Sequence, residues 1–203
     1  MPATQHDFTI EQGAKFNPTL LFMQPTFTVE DITGITNSGR ARVTSESHGL
    51  TIDWPVYIVG VVGMEKINHK SSQLEVIEYA YTARVDDSDH LLLDVDTTRY
   101  GTYESGGQLM YRTPTDLTGY TARMQIRETK DASATIVSLT SAGGGISLGG
   151  AAGTVTPIIS AADTALLDFT TAYYDIELLP AGVAANAFRF LEGRVKLSKE
   201  VTR

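Results

Sequence analysis

The chain has 203 residues, a formal charge of −8 and a pI near 4.9, with 42% hydrophobic and 20% charged residues, which is the composition of a folded chain of one large or two small domains. Its 16 Lys and Arg are scattered among 24 carboxylates, which argues against a nucleic-acid partner, and no run approaches the roughly 18 apolar residues of a membrane helix. The absence of cysteine removes disulfides, thiolate metal sites and Cys nucleophiles, and the opening MPATQHDFTIEQG lacks the basic and apolar regions of a secretory signal, so the expectation is synthesis in a reducing cytoplasm.

Short alternating runs of β-branched and aromatic residues, punctuated by 18 glycines, mark an all-β chain with frequent turns. The first predicted strands are Asp7–Ile10 and Lys15–Phe22. Pro18 places the second at an edge or breaks it, because proline has no N–H for the ladder. Arg40–Ser45 reads as a strand, Ser47–Gly49 as a turn, and Pro55–Val62 (PVYIVGVV) as a buried strand. After a loop at Gly63–His69, Gln73–Arg84 reads as a strand with Leu74, Val76 and Tyr79 as core candidates. His90–Val95 and Gln108–Arg112 follow, separated by polar and glycine-rich turns. Five or so short strands in this stretch predict a small barrel.

Beyond Pro114 the texture of the opening returns. Tyr120, Ala122, Met124 and Ile126 alternate with Thr121, Arg123, Gln125 and Arg127. Ile136–Leu139, Ile146–Leu148 and Thr154–Ile159 are further strands. Ser160-Ala-Ala-Asp163 is a capping box opening one short helix at Ala161–Leu167. Tyr173–Leu179 and Phe188–Leu197 read as paired strands joined by a hairpin loop at Pro180–Ala187, with Asp175 and Glu177 on one face and Tyr174, Ile176 and Leu178 on the other. The predicted organisation is a discontinuous, immunoglobulin-like β-sandwich over 1–34 and 112–203, interrupted by a small β-barrel at 35–111. Both parts are acidic. Phe8, Ile10, Phe16 and Leu20 are expected to bury against the last strands, because the opening strands have no apolar partner nearby.

Chemistry-bearing patterns are weak. His6, His48, His69 and His90 are isolated, and turn exposure is expected for them rather than a metal role. The acidic turn at Asp86, Asp87 and Asp89 lacks the glycine and closing Glu of an EF-hand loop and reads as a solvated hairpin tip. The glycines at 143–145 and 149–150 lack the Lys-Ser/Thr of a phosphate loop, and no GxSxG occurs. No catalytic residue, metal ligand or cofactor is assigned. Trp54, Tyr57, Tyr100, Phe8 and Phe16 are the aromatic candidates for an interface, with a capped barrel end as the competing reading of Trp54.

Two sets of segments carry a resemblance. HDFTIEQGAKF, DLTGYTARMQIRE, ISLGGAAGTVTPIISAADTALLDF, YYDIELL and FLEGRVKLSKEVTR together resemble the N-terminal β-sandwich module of siphophage upper baseplate proteins. ARVTSESHGLTIDWPVYIVGVVGMEKIN, followed by DVDTTRYGTYESGG, resembles a small barrel of phage structural proteins, similar in fold to the first catalytic-cysteine half-domain of ubiquitin-activating enzymes but without the cysteine. His48, Gly49, Leu50, Gly60, Gly63, Met64 and Asn68 match that barrel's pattern, while Asp53-Trp54-Pro55 stands where it usually has Gly-Asp. The resemblance implies a non-enzymatic structural component of a tailed phage virion, made in the host cytoplasm. Its implied partners are other phage structural proteins and copies of itself. A tail or baseplate adaptor is the first expectation and a neck or capsid decoration protein the second. A carbohydrate-binding module for host-surface glycans, or a glycan-processing enzyme with facing carboxylates, are the rivals from other classes.

Overall fold

The computed structural model describes residues 3–74, 76–182 and 186–201. The chain is all-β with one short helix and divides into two compact units, 1–22 with 114–203 and 23–113.

The first unit contains β1 (Thr4–Gln5), β2 (Phe8–Glu11) and β3 (Leu20–Leu21), and then β11 (Thr121–Arg127) through β16 (Phe188–Ser198). Between these last two lie β12 (Val137–Thr140), β13 (Ile146–Leu148), β14 (Thr154–Pro157) and β15 (Thr171–Leu179). One sheet runs β1-β16-β15-β11-β12, with β2 also on β16, and the other runs β13-β14-β3. The N-terminal strands lie parallel to the final strand, Thr4 opposite Leu191 and Phe8 opposite Val195, while all other pairings are antiparallel. This is immunoglobulin-like connectivity, in which β3, β11, β15 and β16 take the places of strands B, C, F and G.

Alternation decides the interior. Ala122, Met124, Ile126, Ala172, Tyr174, Ile176 and Leu178 face inward and meet Ile146, Val155 and Ile159 from the other sheet. Phe8, Ile10 and Phe16 join the same cluster, with Leu20 packed against it, and Phe8 lies 4.8 Å from the Tyr174 ring. The chain ends therefore share one core, as their unpartnered apolar residues require. Each such side chain contributes roughly 1.5–3 kcal/mol on burial. Pro18 interrupts the expected strand at Lys15–Phe22. Phe16 makes an isolated two-bond bridge with Ile159, and pairing resumes only at Leu20. The helix α1 (Ala161–Ala165) opens as its capping box demands, with the Asp163 amide donating to Ser160 Oγ at 3.1 Å.

The second unit holds β4 (Met23–Asp31), β5 (Gly34–Ile35), β6 (Arg42–Thr44), β7 (Trp54–Val62), β8 (Tyr81–Val85), β9 (His90–Leu93) and β10 (Ser105–Pro114). They form one curled sheet in the order β4-β10-β7-β8-β9-β6-β5. Its two terminal strands are consecutive in the chain. At the junction the Ile32 amide donates to Gly107 O (2.9 Å) and the Thr33 amide donates to Thr44 O (2.9 Å), so one segment closes the barrel from both sides. The unit thus begins at Met23, before the Ile35 expected from sequence. β4 has no local signal for the barrel because its partner, β10, lies more than 70 residues downstream.

The expected strand Gln73–Arg84 forms only at Tyr81–Val85. Two single 3-10 turns, Ser71–Gln73 and Ile77–Tyr79, precede it. Leu74 is half-buried, and Val76 and Tyr79 are exposed rather than core. The hairpin loop expected at Pro180–Ala187 lies partly outside the described residues. Among the described residues no helix is long and apolar enough to cross a membrane.

Because β4 and β10 are neighbours and bear the unit's two ends, residues 23–113 are expected to fold when expressed alone. Residues 35–111, which lack β4 and the closing segment, are expected not to. Cooperative thermal unfolding followed by circular dichroism checks both fragments.

Candidate functional site

The seven residues that carry the barrel's sequence resemblance, His48, Gly49, Leu50, Gly60, Gly63, Met64 and Asn68, each have an architectural task. Gly49, Gly60 and Gly63 have φ of 71°, 73° and 86°, a region that disfavours side chains. Gly63 is further constrained because a Cβ there would collide with Thr102 O. Met64 is fully enclosed and Leu50 nearly so. Asn68 replaces a strand. Its Oδ1 accepts from the Val61 amide (2.9 Å) and its Nδ2 donates to Val61 O (2.8 Å). The next residue extends the substitution, with the His69 amide donating to Ile58 O (2.6 Å) and the Ile58 amide donating to His69 Nδ1 (3.0 Å). This is why β8 pairs with β7 only at Trp54–Val56, and why Gln73–Ala80 has no strand to join.

The histidines expected in exposed turns divide. His48 is completely buried. Its Nδ1 accepts from the Leu50 amide (3.1 Å) and its Nε2 bonds Asp87 O (2.9 Å). His69 is wedged edge-on between Tyr57 and Tyr81, its Nε2 donating to Tyr79 O (2.7 Å). Turn position therefore does not mean exposure here, because both rings carry backbone hydrogen bonds that the turns themselves lack. Asp87 ties the acidic hairpin tip together. The Asp89 amide, the His90 ring and Arg42 all approach its carboxylate and hold its pKa below the usual range. Among the described residues no three His, Asp or Glu side chains are grouped to hold a metal ion.

The aromatic interface candidates fare unequally. Trp54 is wholly enclosed and donates from Nε1 to Arg112 O (2.7 Å), as a capped barrel interior requires. Tyr57, Phe8 and Phe16 are also buried within their own units, and Tyr100 alone is partly exposed, with Lys66 Nζ 5.9 Å from its ring. Four of the five therefore offer no surface platform.

An extended array of accessible polar side chains lies elsewhere, on the outer face of the first unit's larger sheet. Register sets out its rows. Arg127, Tyr173 and Arg194 lie side by side across β11, β15 and β16. The next row runs Ser138, Gln125, Asp175, Glu192 and Gln5 across five strands. The third runs Thr140, Arg123, Glu177 and Arg189. Asp175 and Glu192 are directly opposite, an arrangement that costs stability unless countered. Arg189 counters it, reaching Asp175 at 3.3 Å and Glu192 at 2.7 Å, and Gln5 donates to Glu192. A register shift between Ile176 and Glu177 brings Arg189 to this place. Burial pushes the Asp175 pKa up, whereas the Gln5 hydrogen bond leads the effects that draw Glu192 down.

Two shallow depressions meet at Tyr173 and Lys130. The larger, of about 590 Å³, reaches Gln5, His6, Asp7 and Arg194, and the smaller, of about 130 Å³, reaches Gln125, Asp175 and Glu192. The kink between β1 and β2 shapes the first. His6 O fills the place of a Cβ on Gly193 and accepts from Tyr174 Oη (2.7 Å), and Asp7 Oδ1 accepts from the Arg194 amide (2.8 Å).

The chain matches no protein-family model and no curated protein.

Replacing Asn68 by Leu is expected to lower barrel stability by about 2–4 kcal/mol, since it leaves a strand amide and carbonyl unpaired. Asn68→Asp, which keeps only the acceptor, should fall between wild type and Leu, as chemical denaturation would show. Asp175→Asn tests the raised pKa. Ionised Asp175 is disfavoured by folding, so the neutral variant should melt higher at pH 7. That advantage should shrink as pH falls through the raised folded value, and vanish below the ordinary carboxylate pKa of about 4.

Proposed function

We propose that this protein is a non-enzymatic structural component of a tailed phage virion, acting as a tail or baseplate adaptor. The observation that carries this reading is that all seven residues of the phage-barrel pattern are spent on backbone architecture: three positive-φ glycines, two enclosed apolar side chains, a buried histidine and an asparagine that stands in for a strand. A match of that kind supports a shared scaffold rather than a shared reaction. An immunoglobulin-like module interrupted between its B and C strands by a barrel suits a part that docks through one unit and presents another. The barrel also exposes Val76, Ile77 and Tyr79, at 37%, 45% and 52%, on the turns before β8. Such a run suits contact with a neighbouring subunit in a symmetric assembly. A neck or capsid decoration role uses the same features at another position.

Antibody labelling of purified virions of the encoding phage tests the reading. Label at the tail tip is the expected result, label at the neck or capsid moves the position, and its absence from virions overturns the proposal. Ile77→Asp with Tyr79→Asp is expected to leave the melting temperature unchanged, since both side chains are half in water, while abolishing higher-order species in light scattering.

A further inference from the structure

We propose that the outer face of the immunoglobulin-like sheet binds an anionic saccharide, with a sugar ring on Tyr173 and its carboxylate or phosphate between Lys130 and Arg194. The proposal stands on the geometry of this sheet and not on the virion reading.

Tyr173 is half-buried and lines both depressions, which places its side chain at their junction. A sugar presents an apolar C–H face and a rim of hydroxyls, and an aromatic ring beside fixed polar groups is the complement of both. The two arginines flanking Tyr173 differ in availability. Arg127 is committed, donating to Gln125 Oε1 (2.8 Å) and to the carbonyls of Ala132 and Ser133. The Arg194 side chain is exposed and makes no ion pair among the described residues, although its amide is held by Asp7. Lys130 is 62% exposed and only loosely engaged with Glu192, at 3.7 Å. Arg194, with no ion pair among the described residues, and Lys130, with one long one, thus border the larger depression. Asp7, the carboxylate that lines this depression, already accepts the Arg194 amide, and Glu192 is the carboxylate nearest Lys130.

The adjoining row supplies the hydroxyl partners. Gln125, Asp175, Glu192 and Gln5 place amide and carboxylate groups in line across four strands. Arg189 fixes the two carboxylates before any ligand arrives, so little side-chain freedom is lost on binding. A peptide would need a strand edge or an apolar pocket, whereas the floor here is the polar face of paired strands. The polar depression on the barrel, lined by Arg40, Arg84, Asp53 and Asp94, lacks an aromatic ring and is the natural control.

Isothermal titration of the full chain with trigalacturonate, glucose 6-phosphate and maltotriose tests the proposal. Saturable binding of an anionic sugar that weakens with added salt is expected. Whichever of the first two binds more tightly identifies carboxylate or phosphate as the anion. Tyr173→Ala and Arg194→Ala should each weaken that binding roughly tenfold while the chain still unfolds cooperatively above the titration temperature, Tyr173→Phe should retain it, and Arg84→Ala should have no effect. Failure of both anionic sugars to bind at millimolar concentration would overturn the proposal. So would binding indifferent to both Ala variants, equal binding of maltotriose, or a Tyr173→Ala chain whose only change is a smaller mass in light scattering.

Discussion

A chain that leaves an immunoglobulin-like sandwich after β3, in the place of strand B, and returns some 90 residues later must fix its exit to its re-entry, or the sandwich loses its B–C connection. Three backbone segments do this. The Thr115 amide donates to Phe22 O, and the Phe22 amide donates to Gly153 O, both at 2.8 Å. Gly153 sits at φ 63°, where a Cβ would stand 2.8 Å from Phe22 O and 3.0 Å from Thr115 N. A side chain at this point would force the exit and return strands apart. The sandwich core, which joins Phe8 and Ile10 to Ile176 and Val195, can assemble only while this junction holds.

The barrel solves a matching problem. Its first and last strands are neighbours, and its closing segment pairs with β10 at one end and β6 at the other. A sheet closed in this way leaves few unpaired edges. Where a strand partner is missing, along Ile58–Val61, the side chains of Asn68 and His69 supply the hydrogen bonds instead. Unpaired buried amides each cost about 1–3 kcal/mol, which explains why a loop carries such specific residues.

Electrostatics on the outer sheet face shows how its polar rows are kept stable. Opposed carboxylates at 175 and 192 are tolerated because a register shift delivers Arg189 to both. Arg123 answers Glu177 in the next row at 2.5 Å. Exposed ion pairs of this kind contribute little singly, and their larger effect is to hold side chains in fixed directions.

Sequence by itself determined what depends on neighbours along the chain. The alternation in Thr121–Arg127 and Thr171–Leu179, the helix cap at Ser160 and the interruption at Pro18 follow from local backbone chemistry. Of the outer face, Arg123, Gln125, Arg127, Asp175 and Glu177 were already legible as sharing their strands' polar sides. Tertiary structure alone decided which of them meet. Pairing Asp175 with Glu192, and Tyr173 with Arg194, depends on a register and a bulge that no local signal encodes. The same limit hid β4, whose partner is remote in sequence, and made Val76 and Tyr79 look like strand core. It also hid His48, whose burial depends on the carbonyl at Asp87, brought to it only by the closing of the barrel.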